Sequence, residues 1–325
     1  MSQVPSSHEV KISFWKRYGL IIRLLVSAIL LARAFASIDW LKIENAIPII
    51  DPKWLLLSLS LLWLSNTLSG ARWGHIMSHA GFQKKSLAYI RLYFAGGLIN
   101  QGLPTTLGGD SYRAITAHQQ LQVNAHTNIK LPMSFFGVLL DRSLGFAGNS
   151  ILGAIGLALG GAVLSPWVPQ LGIVLLIIML LGALLIAYLL YLPSTQNLFL
   201  KMMHGLKVQQ ALEPTKTAWG FPNVWWQILL ATVIHFSTLA AFWACLKACH
   251  VEAPIEALLI GIPAVGLLML LPISISGWGL RETSLASMLA LWGLDPSLVI
   301  LSSLLYGITI LITFLPGLPR IIQKG

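Results

Sequence analysis

An all-α polytopic membrane protein is the fold class this chain predicts, on three observations. Of its 325 residues 56% are hydrophobic and only 10% are charged, where soluble domains carry about a quarter charged residues. Apolar stretches close to the ~20 residues needed to cross a bilayer recur from one end to the other. Between them lie two Pro-to-Arg segments of equal length, Pro104-Thr-Thr-Leu-Gly-Gly-Asp-Ser-Tyr-Arg113 and Pro272-Ile-Ser-Ile-Ser-Gly-Trp-Gly-Leu-Arg281. An open backbone in hydrocarbon must be shielded by protein or line a polar cavity, so each reads as a broken helix.

The first apolar stretch begins near Tyr18, behind Lys11, Lys16 and Arg17. It is too long for a signal-peptide core and has no small-residue cleavage site, so it reads as a retained anchor after a cytoplasmic segment 1–17. With 18–38, further stretches at 54–71, 131–160, 170–192, 224–248 and 297–316 give about six full spans. Region 88–120 breaks at Asn100-Gln-Gly-Leu-Pro104, and region 257–293 breaks between Pro272 and Gly279. Both read as re-entrant hairpins. Arg72, Lys84 and Lys85, then Lys201, Lys207 and Lys216, and finally Arg320 and Lys324 belong on the cytoplasmic side, because short cytoplasmic loops are rich in Lys and Arg. That rule requires 88–120 to enter and leave from the cytoplasm, while the second hairpin, flanked by Glu252, Glu256 and Asp295, opens outward. Both termini are then cytoplasmic. Two oppositely oriented interrupted segments, one per half, are the trace of an inverted repeat and the usual pointer to a midplane site.

Composition also excludes functions. The formal charge of +10 comes from 21 scattered Lys and Arg without a basic block, so a nucleic-acid partner is not expected. Cys245 and Cys249 stand one helical turn apart and read as small packing residues rather than a redox pair or metal quartet. His75-Ile-Met-Ser-His79 lacks the adjacent Glu of a metalloprotease helix, His235 is alone on its span, and no nucleophile elbow or P-loop occurs. No catalytic residue, metal or cofactor is therefore expected, and residues 1–325 read as one intramembrane unit without a soluble catalytic domain.

Candidate binding residues cluster at the two breaks. Gly108 and Gly109 permit a tight turn with exposed amides, and Asp110 stands at an N-cap position for a helix over 111–120. Such amides attract phosphate, which Arg113 could clamp with its fork of donors. Gly277 and Gly279 offer the same parts around Trp278, which either wedges the hairpin or meets an acyl chain. Arg281 and Glu282 are each expected to pair across the bundle. Asp141 and Arg142 lie inside the span 131–160, either in a structural bridge to Arg113 or Glu282 or in direct substrate contact. Ionisable side chains within the membrane are functional candidates by default. Arg72, Arg91, Asn100 and Gln101 are secondary, with snorkelling or hydrogen-bonding roles.

Through Ala71-Arg-Trp73, Gly108-Gly-Asp-Ser-Tyr-Arg113, Leu140-Asp-Arg-Ser-Leu-Gly145 and Gly277-Trp-Gly-Leu-Arg-Glu282, the chain resembles the lysylphosphatidylglycerol synthase transmembrane-region family of flippase-like membrane proteins. The resemblance implies a lipid-related role in a bacterial or archaeal cytoplasmic membrane. In larger relatives such a region moves aminoacylated phosphatidylglycerol to the outer leaflet, ahead of a soluble aminoacyl-transferase domain. Two positions depart from the pattern: Asp141 stands where the family has Glu, and Gly277-Trp-Gly279 replaces a fuller glycine run. The expected function is a lipid translocase or lipid-binding transporter for a phospholipid, an aminoacylated phospholipid or a lipid-linked glycan. Its partners would be membrane lipids with anionic headgroups and an envelope glycosyltransferase or lipid synthase. The alternatives are a polytopic lipid-modifying transferase using Asp110, Asp141 or Glu282 as acids or bases, and a non-transporting accessory subunit.

Overall fold

A computed structural model describes residues 14–102, 107–123, 129–205, 209–270 and 273–322. These are almost entirely helical. The helices are α1 (Phe14–Ala36), α2 (Trp40–Ala46), α3 (Pro52–His79), α4 (Ser86–Gly102), α5 (Leu107–Gln120), α6 (Leu131–Gly160) and α7 (Val168–Leu189). They continue as α8 (Pro193–Gly205), α9 (Leu212–Trp219), α10 (Asn223–Ala248), α11 (Ile255–Leu268), α12 (Leu280–Leu289), α13 (Pro296–Phe314) and α14 (Leu318–Ile322). Among the described residues five helices are long and apolar enough to cross a membrane: α3, α6, α7, α10 and the α13 segment. The α1–α2 pair, bent by 83°, brings the number to as many as six. The prolines at the two break tips, Pro104 and Pro272, lie outside the described residues.

Local chemistry sets the helix starts. Asp51 accepts from the Lys53 amide at 2.9 Å with Pro52 in the first turn, and Asp295 accepts from the Ser297 amide at 2.9 Å with Pro296 likewise placed. Proline there loses no intrahelical bond, because the first amides of a helix have no partner anyway.

Between the spans the backbone needs small residues to approach closely, since lipid supplies no hydrophobic drive for helix association. On α6, a Cβ at Gly148 would stand 2.6 Å from the Ala231 backbone of α10, and one at Gly156 would stand 2.6 Å from the Leu259 backbone of α11. The buried serines of α3 line its contact with α10, where Ser65 Oγ donates to the Ile234 carbonyl at 3.2 Å and the Cys245 thiol donates to Ser58 Oγ at 3.3 Å. Both cysteines are buried and unoxidised.

The helix pairs α4–α5 and α11–α12 each return to the end of the bundle they came from. Gln83, just before α4, donates through its amide to the Leu121 carbonyl just after α5, at 2.7 Å. At the opposite end, Ala257 and Leu258 at the start of α11 share one buried cluster with Leu289 and Leu294 at the end of α12. The two breaks meet inside the bundle: Ser276 Oγ donates to the Asn100 carbonyl at 2.6 Å and the Gln101 carbonyl at 3.0 Å.

Candidate lipid-facing polar cavity

Helices α3, α5 and α6 converge on a buried chain of ion pairs. Asp141 is 2% exposed. One of its carboxylate oxygens accepts from Arg72 Nε at 3.1 Å and Nη2 at 2.9 Å, and the other accepts from Arg113 Nη1 at 3.0 Å. Arg113 Nε donates to Asp110 at 3.0 Å, and the second Asp110 oxygen accepts from Arg142 Nε at 2.8 Å. The Arg113 guanidinium also lies over the Trp73 and Tyr93 rings, 4.9 Å from each centroid. Three guanidinium groups against two carboxylates leave this chain with one excess positive charge.

On the other hairpin, Arg281 pairs with the neighbouring Glu282, through Nε at 3.1 Å and Nη2 at 2.5 Å, and not across the bundle as expected from helical direction. The reason lies in the first turn of α12. Gly277 and Gly279 adopt left-handed φ of 79° and 81°, and the turned-out Gly279 amide donates to Glu282 at 2.7 Å. The other Glu282 oxygen is thereby held beside the Arg281 guanidinium and within 3.2 Å of Ser303 Oγ. Trp278 stacks on Arg281 at 5.2 Å, with Tyr306 at 5.6 Å, in space left by the missing side chain of Gly307. Trp278 thus packs within the hairpin, as the wedge reading expects, while remaining partly exposed.

Between these groups lies a cavity of about 570 Å³ lined by Arg72, Asp141, Arg142 and Arg281, together with Asn66, Asn149 and His235. The rest of its wall is mostly apolar. Leu139, Phe146, Leu267 and Leu270 line it and are also exposed on the outer surface of the bundle, so it opens sideways past α6 and the end of α11. Arg72 is buried, yet its Nη1 meets no hydrogen-bond acceptor among the described residues. A buried donor left unsatisfied costs roughly 1–3 kcal/mol. The Arg142 side chain is 44% exposed, and among the described residues only its Nε is engaged.

The sequence-derived candidates thus divide. Asp141, Arg142 and Arg281 line the cavity, whereas Asp110, Arg113 and Glu282 hold those three in place from behind. Gly109 makes the α4–α5 crossing; its amide donates to Asn100 Oδ1 at 2.7 Å, and a side chain there would overlap the Gly96 carbonyl. Gly108 lies beside it in the first turn. Because α5 begins at Leu107, Asp110 sits within the helix and is not its N-cap, as the spacing had suggested. Arg72 was secondary in sequence. Its signal was an arginine inside an otherwise apolar span, but its partner is 69 residues away.

No curated protein matches this chain. The sequence profile of the family described as the lysylphosphatidylglycerol synthase TM region matches residues 20–317, nearly its whole length and every element of the cavity wall. The chain belongs to the lysylphosphatidylglycerol synthase transmembrane-region family, and its role is that of a membrane protein connected with lipids.

Proposed function

We propose that the cavity binds the phosphate-bearing headgroup of a membrane lipid and that the protein carries that lipid between leaflets of the cytoplasmic membrane. One observation supports this most directly: three arginines line a cavity whose apolar wall reaches the outer surface of the bundle. A headgroup can enter past Leu139 and Leu270 while its acyl chains stay in the bilayer. Within, the terminal nitrogens of Arg142 supply charge-assisted donors, and guanidinium forks match phosphate geometry. Two hairpins that meet at their breaks give the interrupted-helix architecture in which transporter sites are built.

The test is leaflet exchange of fluorescent phosphatidylglycerol by the purified protein in liposomes. Wild type should accelerate exchange with no covalent change to the lipid, and Arg142→Gln should cut the rate at least several-fold while the protein remains folded. A new lipid product in mass spectra would instead indicate a transferase. Neither exchange nor product would indicate an accessory subunit.

A further inference from the structure

We propose that α8 is an interfacial helix that docks on the anionic lipid surface of the leaflet at its end of the bundle, the cytoplasmic one by its lysines. This surface is separate from the cavity, none of whose lining residues belongs to α8, and it does not depend on what the cavity binds.

The helix begins where a span stops. After α7 ends at Leu189, the first turn of α8 is tied back to it: the Gln196 amide donates to the Leu192 carbonyl and the Gln196 side chain to the Leu190 carbonyl, each at 2.9 Å. These bonds hold α8 at the end of the span rather than out in the aqueous phase. Its rows of residues four apart then sort by environment. Gln196 and Leu200 are half-buried, while Asn197 with Lys201 and Leu198 with Met202 are exposed. At 3.6 residues per turn the Leu198–Met202 row stands nearly opposite the half-buried row, with Asn197 and Lys201 beside it. Leu198 and Met202 are 58% and 63% exposed, an apolar edge that the protein itself does not cover. Exposed aromatic rings stand at the same end. The Tyr191 hydroxyl, just past α7, donates to the Phe221 carbonyl just before α10, and Trp226 follows in the first turn of α10. Tyr and Trp concentrate at the boundary between lipid and water.

Charge identifies the kind of lipid. From Tyr188 to Leu212 the sequence carries Lys201 and Lys207 and no Asp or Glu. Lys207 lies outside the described residues. Lys201 is exposed, and no ion pair among the described residues includes it. The next acid, Glu213, is paired with Lys216 at 3.7 Å. An apolar row beside a lysine without a counter-ion matches acyl chains beneath anionic headgroups, and basic residues near such a surface are attracted to it.

The experiment uses the full chain in nanodiscs of phosphatidylcholine with or without phosphatidylserine. A single nitroxide is placed through Asn197→Cys, Leu198→Cys or Met202→Cys, with the unsubstituted protein as the labelling control for the buried Cys245 and Cys249. Depth is read from collisions with oxygen and with a nickel chelate. In anionic discs the labels at 198 and 202 should lie about 5–10 Å below the headgroups, and the label at 197 should be shallower. Omitting phosphatidylserine, or introducing Lys201→Glu, should move the two deep labels toward water. Equal aqueous exposure of all three labels in both lipid compositions overturns the proposal and leaves the face to a soluble partner. Depths that ignore both lipid charge and Lys201→Glu overturn recognition of an anionic surface. Protection from oxygen and nickel chelate alike overturns lipid as the occupant, because another protein surface would then cover α8.

Discussion

Arg113 and Arg142 belong to one chain of ion pairs, yet their replacement should have different consequences. Arg113 is enclosed between Asp110 and Asp141, so Arg113→Gln removes the shared cation from two buried carboxylates. Breaking a buried pair costs about 3–5 kcal/mol, and the expected outcome is a large loss of folded protein in a size-exclusion stability assay. Lys at this position should rescue poorly, because it keeps the charge and loses the two-sided fork. Arg142 is half-exposed and Asp110 retains Arg113, so Arg142→Gln should fold nearly as wild type and lose phosphatidylglycerol binding. If instead Arg142→Gln unfolds the protein and Arg113→Gln leaves it stable but unable to bind lipid, the division between lining and supporting arginines is wrong. Away from the spans, Lys42 pairs with Asp295. Hydrogen bonding between them holds the Asp295 carboxyl below its ordinary value of 3.8 and raises the Lys42 ammonium above 10.5. The carboxylate's contribution is present above 3.8 and is lost as pH falls through the lower folded value. The ammonium's contribution is present below 10.5 and is lost as pH rises through the higher folded value. Asp295→Asn keeps a capping oxygen for α13 and should melt below wild type across the neutral range, with the difference vanishing in strong acid and strong alkali.

The two hairpins depend on places where helices touch backbone to backbone. A Cβ at Gly109 would run into the Gly96 carbonyl of α4, whereas one at Gly182 of α7 would meet nothing within 4 Å. Overpacking typically costs about 1–3 kcal/mol. Gly109→Ala should therefore lower the melting temperature clearly, while Gly182→Ala should hold or raise it, since Ala favours a helix interior by about 1 kcal/mol over Gly. Equal melting temperatures for the two variants would mean that the α4–α5 crossing is not a tight element. The length and polarity of these elements were legible in the sequence. The start of α5 at Leu107 was not, because Gly108-Gly109 reads as a turn until the close approach of α4 explains why glycine is needed inside a helix.

At the scale of the whole molecule the two ends differ in charge. Lys84, Lys85 and Arg320 stand at the end where α4 begins and α5 finishes, whereas at the end where α11 begins Asp39, Glu252, Glu256 and Asp295 are accompanied by Lys42 and Lys247, paired with Asp295 and Glu252. The enrichment of cytoplasmic loops in Lys and Arg then predicts that a tag at Gly205 reports the cytoplasm and one at Ile255 reports the outer side. A tag at Gly205 found outside would overturn the orientation of both hairpins.

The chain by itself determined what depends on composition and local pattern. The apolar lengths specified five of the spans, while the first stretch became a pair of helices bent by 83°, and the Pro-to-Arg segments specified the breaks. The membrane made Asp110, Arg113, Asp141, Arg142, Arg281 and Glu282 conspicuous, because charge in hydrocarbon must be explained. Only the tertiary structure decided how those charges are shared. Arg72 joins Asp141 from 69 residues away, Arg113 is enclosed between Asp110 and Asp141, and Arg281 folds back on its neighbour. Which donors reach each carboxylate depends on how α3, α5 and α6 cross, information that sequence spacing does not contain.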